Sequence, residues 1–181
     1  MLSPDPSSPS RPLPEPDENI VLRQTGALGQ ARDGDADFVS SLARASFLAY
    51  GSYDRYLRDW FRDEAVSTFV AELDGRTAGF FMLTSYRDPD HPEKPIADLV
   101  AIAVDAPWQS RGVGKRLLDR AIELARESDP PARELWLVVA DSNARAQRFF
   151  SRRGFRRREG VGVYPAGQRA LRMVKTFEEG S

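Results

Sequence analysis

The stretch Val104-Asp-Ala-Pro-Trp-Gln109-Ser-Arg-Gly112-Val-Gly114-Lys115-Arg-Leu-Leu118 decides how this chain is read. It starts at the end of an apolar run, Asp98–Val104. It ends in a segment whose apolar residues, Val113, Leu117, Leu118, Ala121, Ile122 and Ala125, fall on one face at helical spacing. A strand therefore runs through two glycines into an amphipathic helix. Glycine permits positive φ and close backbone approach, and the first N–H groups of a helix have no partner within it. With the positive end of the helix dipole they make an anion site, and Arg111, Lys115 and Arg116 add charge nearby.

Three phosphate-binding patterns compete for this turn. A P-loop requires G-x-x-x-x-G-K-S/T. Gly114-Lys115 supplies its end, but Gln109 stands at the first glycine's place and Arg116 at the hydroxyl residue's. A dinucleotide fingerprint requires G-x-G-x-x-G after an early strand. Gly112 and Gly114 fit it, but Leu117 stands where the third small residue belongs, and the turn lies past the chain's midpoint. The third pattern, Q/R-x-x-G-x-G/A, is met in full by Gln109-Ser110-Arg111-Gly112-Val113-Gly114.

Outward from the turn, the patterning predicts a mixed α/β protein. A short strand is expected near Ile20–Arg23. Asp35 and Asp37 form an acidic cap before a helix carrying Phe38, Val39, Leu42, Ala45 and Phe47. A second helical stretch holds Tyr53, Tyr56, Leu57, Trp60 and Phe61, of which Tyr56, Trp60 and Phe61 fit either core or a cleft wall. Thr68–Glu72 and Thr77–Thr84 flank Asp74-Gly75, a hairpin signal. Arg87–Pro95 reads as a polar loop with His91 exposed in it, and Asp98–Val104 as a strand buried on both faces. Pro130-Pro131 stops the central helix after about Glu127. A strand at Leu135–Ala140 follows, then a helix capped within Asp141-Ser142-Asn143 and ended by Gly154, then strands near Phe155–Val163 and Ala170–Phe177. The order is β-α-α-β-β-β-α-β-α-β-β, with no internal repeat.

Composition removes other options. A chain of 181 residues suits one domain plus a tail. Its 26 basic and 27 acidic side chains argue against a dedicated nucleic-acid partner. The absence of cysteine excludes disulfides, thiolate metal sites and a thiol nucleophile, and a single histidine excludes a multi-histidine metal site. The longest apolar runs fall far short of the roughly 20 residues that span a bilayer, so neither a membrane nor a metal is expected, and the location is expected to be cytoplasmic. Six of the 13 prolines lie between Pro4 and Pro16. Residues 1–19 therefore read as a disordered tail, 20–178 as the folded domain and 179–181 as a short C-terminal tail.

The third turn pattern is the pyrophosphate-binding motif of the GCN5-related N-acetyltransferase (GNAT) family, and the chain resembles that family over residues 20–178. Asn143-x-x-Ala146-x-x-Phe149-Phe150-x-x-x-Gly154-Phe155 resembles its second motif, and Met173-Val-Lys175 its usual last strand. The resemblance implies a single mixed, mostly antiparallel six- or seven-stranded sheet flanked by about four helices. It implies acetyl-CoA as co-substrate and direct attack by a primary amine in a ternary complex. The pantetheine arm would pair with the backbone at Ile102, Ala103 and Val104, and a backbone N–H near Val104 would polarise the thioester carbonyl. The pyrophosphate would sit on the amides of Gln109, Ser110, Arg111, Gly112, Val113, Gly114 and Lys115. Asn143, which also serves as a helix cap, would lie near the pantetheine, with Phe149 and Phe150 beside it.

The resemblance also suggests catalytic roles. Asp98 matches the general-base glutamate of histone-type members, one methylene shorter. Phe150 departs from the pattern: the family usually has a tyrosine there, whose hydroxyl protonates the departing thiolate. Tyr164, between the last two strands, is the replacement donor considered, with water as the other. The acceptor implied first is a peptide N-terminal or lysine amine. A small-molecule amine and a non-catalytic CoA-binding module are the other readings. Arg152–Arg158 reads as a solvated surface before it reads as a phosphate or RNA contact. Monomer and homodimer both stay open.

Overall fold

In the computed structural model, which describes residues 19–51, 53–88 and 90–177, Asp74 and Gly75 both take positive φ, +53° and +74°. That is the primed two-residue turn that a right-twisted hairpin demands. It joins β2 (Val66–Leu73) to β3 (Arg76–Arg87), the pair that Asp-Gly predicts. The other elements are β1 (Val21–Thr25), α1 (Asp35–Phe47), α2 (Tyr53–Phe61), β4 (Pro95–Val104), α3 (Val113–Glu127), β5 (Glu134–Ala140), α4 (Ala144–Ser151), β6 (Arg156–Val163) and β7 (Arg169–Thr176). Their order in the chain is the expected one. The proline-rich tail up to residue 18 and the C-terminal tail 179–181 lie outside the described residues.

The seven strands form one sheet, ordered β1-β2-β3-β4-β5-β7-β6. Every neighbouring pair is antiparallel except β4 and β5, which run parallel because α3 carries the chain back across the sheet. One face is covered by α3, through Val113, Leu117, Leu118, Ala121 and Ala125, and by Phe150 of α4. These pack on Phe81, Leu99, Leu135, Leu137 and Met173 of the sheet. Val39, Leu42 and Ala43 of α1, with Leu57 and Phe61 of α2, cover the other face over β2, β3 and the second half of β4.

The pairing of β4 with β5 is short. Ile96, Ala97 and Asp98 pair with Glu134, Leu135 and Trp136, and no further ladder follows. On its other side β4 stays paired with β3 as far as Val104, around a bulge that leaves Val100 unmatched between Leu99 and Ala101. Beyond Asp98 the two parallel strands therefore separate and a cleft opens between them.

Three expectations are corrected. The run Asp98–Val104 is not buried on both faces: Leu99, Ala101 and Ala103 are buried, whereas Val100, Ile102 and Val104 are only partly covered, because they border the cleft. Arg87–Pro95 is not wholly loop, since β3 and β4 extend to those two residues. The acidic cap on α1 is absent. Gly34, at φ +90°, holds the cap position without a side-chain bond.

Asp35 is drawn elsewhere. Its carboxylate accepts from Arg23 Nη1 and Nη2 (2.8 and 2.9 Å), from Thr25 Oγ1 (2.7 Å) and from the Arg32 amide (2.8 Å). Burial pushes this carboxyl's pKa up, but the Arg23 guanidinium and the other donors prevail and hold it down at about 2. Because the folded value lies below the ordinary one, its stabilisation is present above about pH 4 and disappears as pH falls through about 2. Asp35→Asn is expected to cost about 2–3 kcal/mol in urea unfolding at pH 7, with the difference from the parent chain shrinking towards pH 2.

Candidate active site

Two adjoining spaces occupy the cleft end of the sheet. The first is an open groove of about 580 Å³, within the range of small-molecule sites (about 300–1,000 Å³). Its floor is Ile102, Ala103 and Val104 at the end of β4. One side is the turn into α3, contributing Gln109, Ser110, Gly112, Gly114 and Lys115. The other is α4 and its cap, contributing Asn143, Phe149 and Phe150. Of the residues expected at a coenzyme site, the structure brings these eleven to one groove. Arg111 and Val113 place their side chains elsewhere. The Arg111 guanidinium lies 5.1 Å from the Trp108 ring centroid and 3.7 Å from Asp74, and Val113 is fully buried in the core. Their backbone amides remain part of the turn.

The turn's geometry follows from its residues. Asp105 caps a single 3-10 turn by accepting from the Ala106 amide (2.8 Å), with Pro107 inside it. Gln109 donates from Nε2 to the Val104 carbonyl (3.1 Å), folding the turn against the strand end. Ser110 (φ +65°) and Gly112 (φ +86°) are both left-handed, an alternation that lets successive N–H groups converge on one concavity. A Cβ built on Gly114 would meet Val104 and Phe149 at 3.5 and 3.6 Å, ordinary contact, so the backbone tolerates a side chain there while the groove beside it would be filled.

Arg145, Arg148 and Arg152 line the same groove. Arg145 and Arg148 lie on α4 and Arg152 at its C-cap, spaced to share one side, and with Lys115 they make this wall basic. Sequence reasoning placed the arginines of interest at 152–158 and missed 145 and 148, although the spacing was readable. Most of the expected run faces other partners: Arg153 meets Asp119 (3.4 Å), Arg157 meets Asp141 (3.3 Å) and Arg158 meets Glu134 (2.8 Å).

The second space is a smaller cavity between the separated strands. Val100 and Ile102 of β4 face Val138 and Ala140 of β5 across it. Phe47, Tyr50, Tyr53, Leu57 and Tyr164 close it from outside. The two spaces meet at Ile102, Asn143, Ala146 and Phe150, which line both. The outer wall is clasped shut. The Ala166 amide donates to the Tyr50 carbonyl (3.3 Å), Gln168 Nε2 donates to the Ala49 carbonyl, and Pro165 packs on Gly51. Tyr164 stacks near Tyr50 and Tyr53, with ring centroids 5.1 and 6.0 Å away. Burial, with these phenols, raises its hydroxyl well above the usual phenol range. Of the aromatic stripe on α2, Phe61 is core, Trp60 packs beside it and Tyr56 is exposed; Tyr53 and Leu57 are the residues that reach the cavity.

Asn143 sits where the spaces join. Its Oδ1 accepts from the Ala146 amide (3.0 Å), capping α4, and its Nδ2 donates to the Tyr50 hydroxyl (3.3 Å). Asp98 is the last residue of β4 paired with β5, at the root of the cleft, opposite Thr84 on β3 and Trp136 on β5. Burial raises its pKa to about 6, opposed by Arg172 and by the Tyr86 hydroxyl, which donates at 3.4 Å. Arg172 itself lies over the Trp136 ring, 4.1 Å from its centroid. A larger depression at the opposite end of the sheet, between Arg87, Arg126 and Phe177, holds none of these residues. Among the described residues no cluster of three potential metal ligands occurs, and no helix is long and apolar enough to cross a membrane.

Comparison with known proteins bears on the family and the fold. A model of the acetyltransferase (GNAT) family matches residues 37–155. An uncharacterized N-acetyltransferase of Methanocaldococcus jannaschii is 30% identical over 156 residues, which is 80% of this chain and 65% of that protein. The chain thus spans just under two thirds of that relative. A Bacillus subtilis protein provisionally named a ribosomal-protein-bS18 alanine N-acetyltransferase is 26% identical over 133 residues, 74% of this chain and 82% of its own. Among solved structures, Ard1 from Thermoplasma volcanium superimposes with a TM-score of 0.70 at 22% identity, covering 89% of this chain and 99% of that one. Arabidopsis thaliana NAA60 in complex with acetyl-CoA gives 0.70 at 15% identity, covering 87% and 98%. These two likenesses are of fold.

The double role of Asn143 separates under mutation. Asn143→Ala is expected to lose about 1 kcal/mol in urea unfolding through the missing cap, whereas Asn143→Asp keeps the accepting oxygen and is expected to lose less than about half of that.

Proposed function

The chain belongs to the GNAT family of acetyltransferases, and from that premise we propose that it transfers acetyl from acetyl-CoA to a primary amine, a peptide or protein amine first. The observation that carries this reading is the junction of two unlike spaces at Ile102, Asn143, Ala146 and Phe150. One is basic and rich in amides, suited to a phosphorylated donor; the other is an acceptor's approach. The residues present fit the coenzyme. The turn at Gln109–Lys115 would take the pyrophosphate, Arg145, Arg148 and Arg152 the remaining phosphate charge, and the β5-facing edge of Ile102–Val104 the pantetheine.

The chemistry assigned to this chain's own residues is modest. Asp98 takes the proton that the attacking ammonium must lose, through a water where the shorter side chain does not reach. A pKa near 6 leaves it ionised at neutral pH yet basic enough to accept. The amine nitrogen then bonds to the acetyl carbon as the carbon–sulfur bond breaks, and it sheds a second proton to solvent to become the amide. Phe150 has no proton to give. The thiolate is a competent leaving group, with a thiol pKa of about 8.5, and takes its proton from solvent or from a tyrosine that burial keeps protonated. Tyr164 is that tyrosine in the expected scheme. Tyr50, whose hydroxyl accepts from Asn143 Nδ2 at the junction, is a second hydroxyl within the site, and Tyr164→Phe against Tyr50→Phe compares them. The chain has no cysteine, so no thioester can form on the protein. The same reading places the protein in the cytoplasm. The B. subtilis relative's name supports a peptide amine as acceptor.

Thermal melting tests the donor site. Acetyl-CoA at 100 times its dissociation constant is expected to add about 2.7 kcal/mol of stability, a shift of several degrees. Gly114→Glu is expected to melt close to the parent protein and to lose that shift; an unchanged shift would move the donor site elsewhere. For the base, kcat/KM is expected to rise with pH through about 6, since Asp98 accepts a proton only when ionised. Asp98→Asn is expected to lower kcat by about 10²–10⁴ and to remove that limb of the profile.

A further inference from the structure

The cavity between β4 and β5 is lined without a charged side chain among the described residues. Its polar side-chain atoms belong to Tyr50, Tyr53, Tyr164 and Asn143; the rest of the lining is aliphatic or phenyl. Its volume is about 150 Å³. An apolar cavity of that size holds a benzene-sized group.

The open sheet face at the root of the cleft does not supply the missing charge. Glu134 is buried and fully engaged: Lys94 Nζ and Arg158 Nη2 meet it at 2.9 and 2.8 Å, and Trp136 Nε1 donates to it at 2.6 Å. Asp98 has Arg172 and the Tyr86 hydroxyl beside it, and Asp88 acts on that same tyrosine. Glu134 thus stands against Lys94 and Arg158, and Asp98 against Arg172. One ammonium finds Asp98 there. A second positive charge on the same acceptor finds no carboxylate among the described residues that line the cavity. In the cavity it would be desolvated without a partner, which is costly.

Resting on the acetyl-transfer reading, we infer that the acceptor is a primary amine flanked by one uncharged, apolar group about the size of a leucine or phenyl side chain. That group fills the cavity between Val100 and Val138 under the three tyrosines, while the amine nitrogen stands at the junction near Asn143 and Phe150. Polyamines and aminoglycosides are excluded as preferred acceptors by the same wall.

The test measures thiol release from acetyl-CoA by the full chain with a fixed panel. It comprises three peptides identical except for a first residue of Leu, Lys or Asp, together with 2-phenylethylamine, spermidine and kanamycin. The Leu peptide or phenylethylamine is expected to exceed the Lys peptide, spermidine and kanamycin in kcat/KM by at least tenfold. The faster of the two apolar acceptors tells whether the amine comes from a chain terminus or a small molecule. Val138→Asp, at a position 44% exposed and so tolerant of the change, is expected to reduce that preference at least tenfold. Turnover with a flat panel, or faster with spermidine or kanamycin, overturns the inference and leaves acetyl transfer standing. No turnover with any amine and no melting shift with acetyl-CoA overturns the transfer reading, and the inference with it.

Discussion

A parallel strand pair that separates after three residues leaves two strand edges facing each other without a ladder between them. Backbone donors and acceptors in such a gap must be satisfied by solvent or by a ligand, because nothing in the sheet reaches them. In this protein the gap begins at Asp98 and Trp136, and the rest of the site is arranged about it. β4 stays straight along β3, held by the ladder from Arg87–Pro95 to Gly79–Val104. β5 is drawn away with β7, to which it is paired along its whole length. The bulge at Val100 adds twist at the point of departure. The cleft is thus a consequence of which strands remain paired, and the glycine turn and α4 line its mouth because they follow directly from the two separated strands.

Charge divides along the same line. The groove end has backbone amides, Lys115, Arg145 and Arg148 of α4, and Arg152 at its C-cap. The middle has phenyl and aliphatic groups and phenols. The root has Asp98, raised by burial to about 6 and moderated by Arg172 and Tyr86. The groove and the cavity, which meet at Ile102, Asn143, Ala146 and Phe150, thus offer wholly different surroundings. The fully engaged Glu134 is part of this division: it draws Lys94, Arg158 and Trp136 to itself, and Asp98 has Arg172 and the Tyr86 hydroxyl beside it.

Much of this was readable in the residues, for identifiable reasons. Asp74-Gly75 named its own turn because few dipeptides accept two positive φ angles. The helix α3 was legible because its apolar face repeats over four turns. Gln109 to Gly114 marked the turn that lines the groove because close backbone approach constrains residue type there. Asn143 was readable as a cap and proved to be one. Asp35 misled: an acidic residue at a helix start is usually a cap, and only the fold reveals that Arg23, from a strand twelve residues earlier, claims it. Val100, Ile102 and Val104 looked like core because hydrophobicity does not record whether the next strand stays beside them. Tyr50, Tyr53 and Val138 had no sequence signal, since the wall they form joins segments about 90 residues apart and no local pattern encodes such a meeting.

The clasp between residues 49–51 and 165–168 gives the two halves of the site unequal permanence. The donor groove rests on β4, α3 and α4, whose side chains root in the larger core. The outer wall of the cavity rests on two connecting segments held by a pair of backbone-directed hydrogen bonds and a proline–glycine contact. Segments with few buried contacts open at a fraction of the free energy of global unfolding. As temperature or denaturant rises, the wall therefore opens first, while the groove between the glycine turn and α4 still keeps its shape.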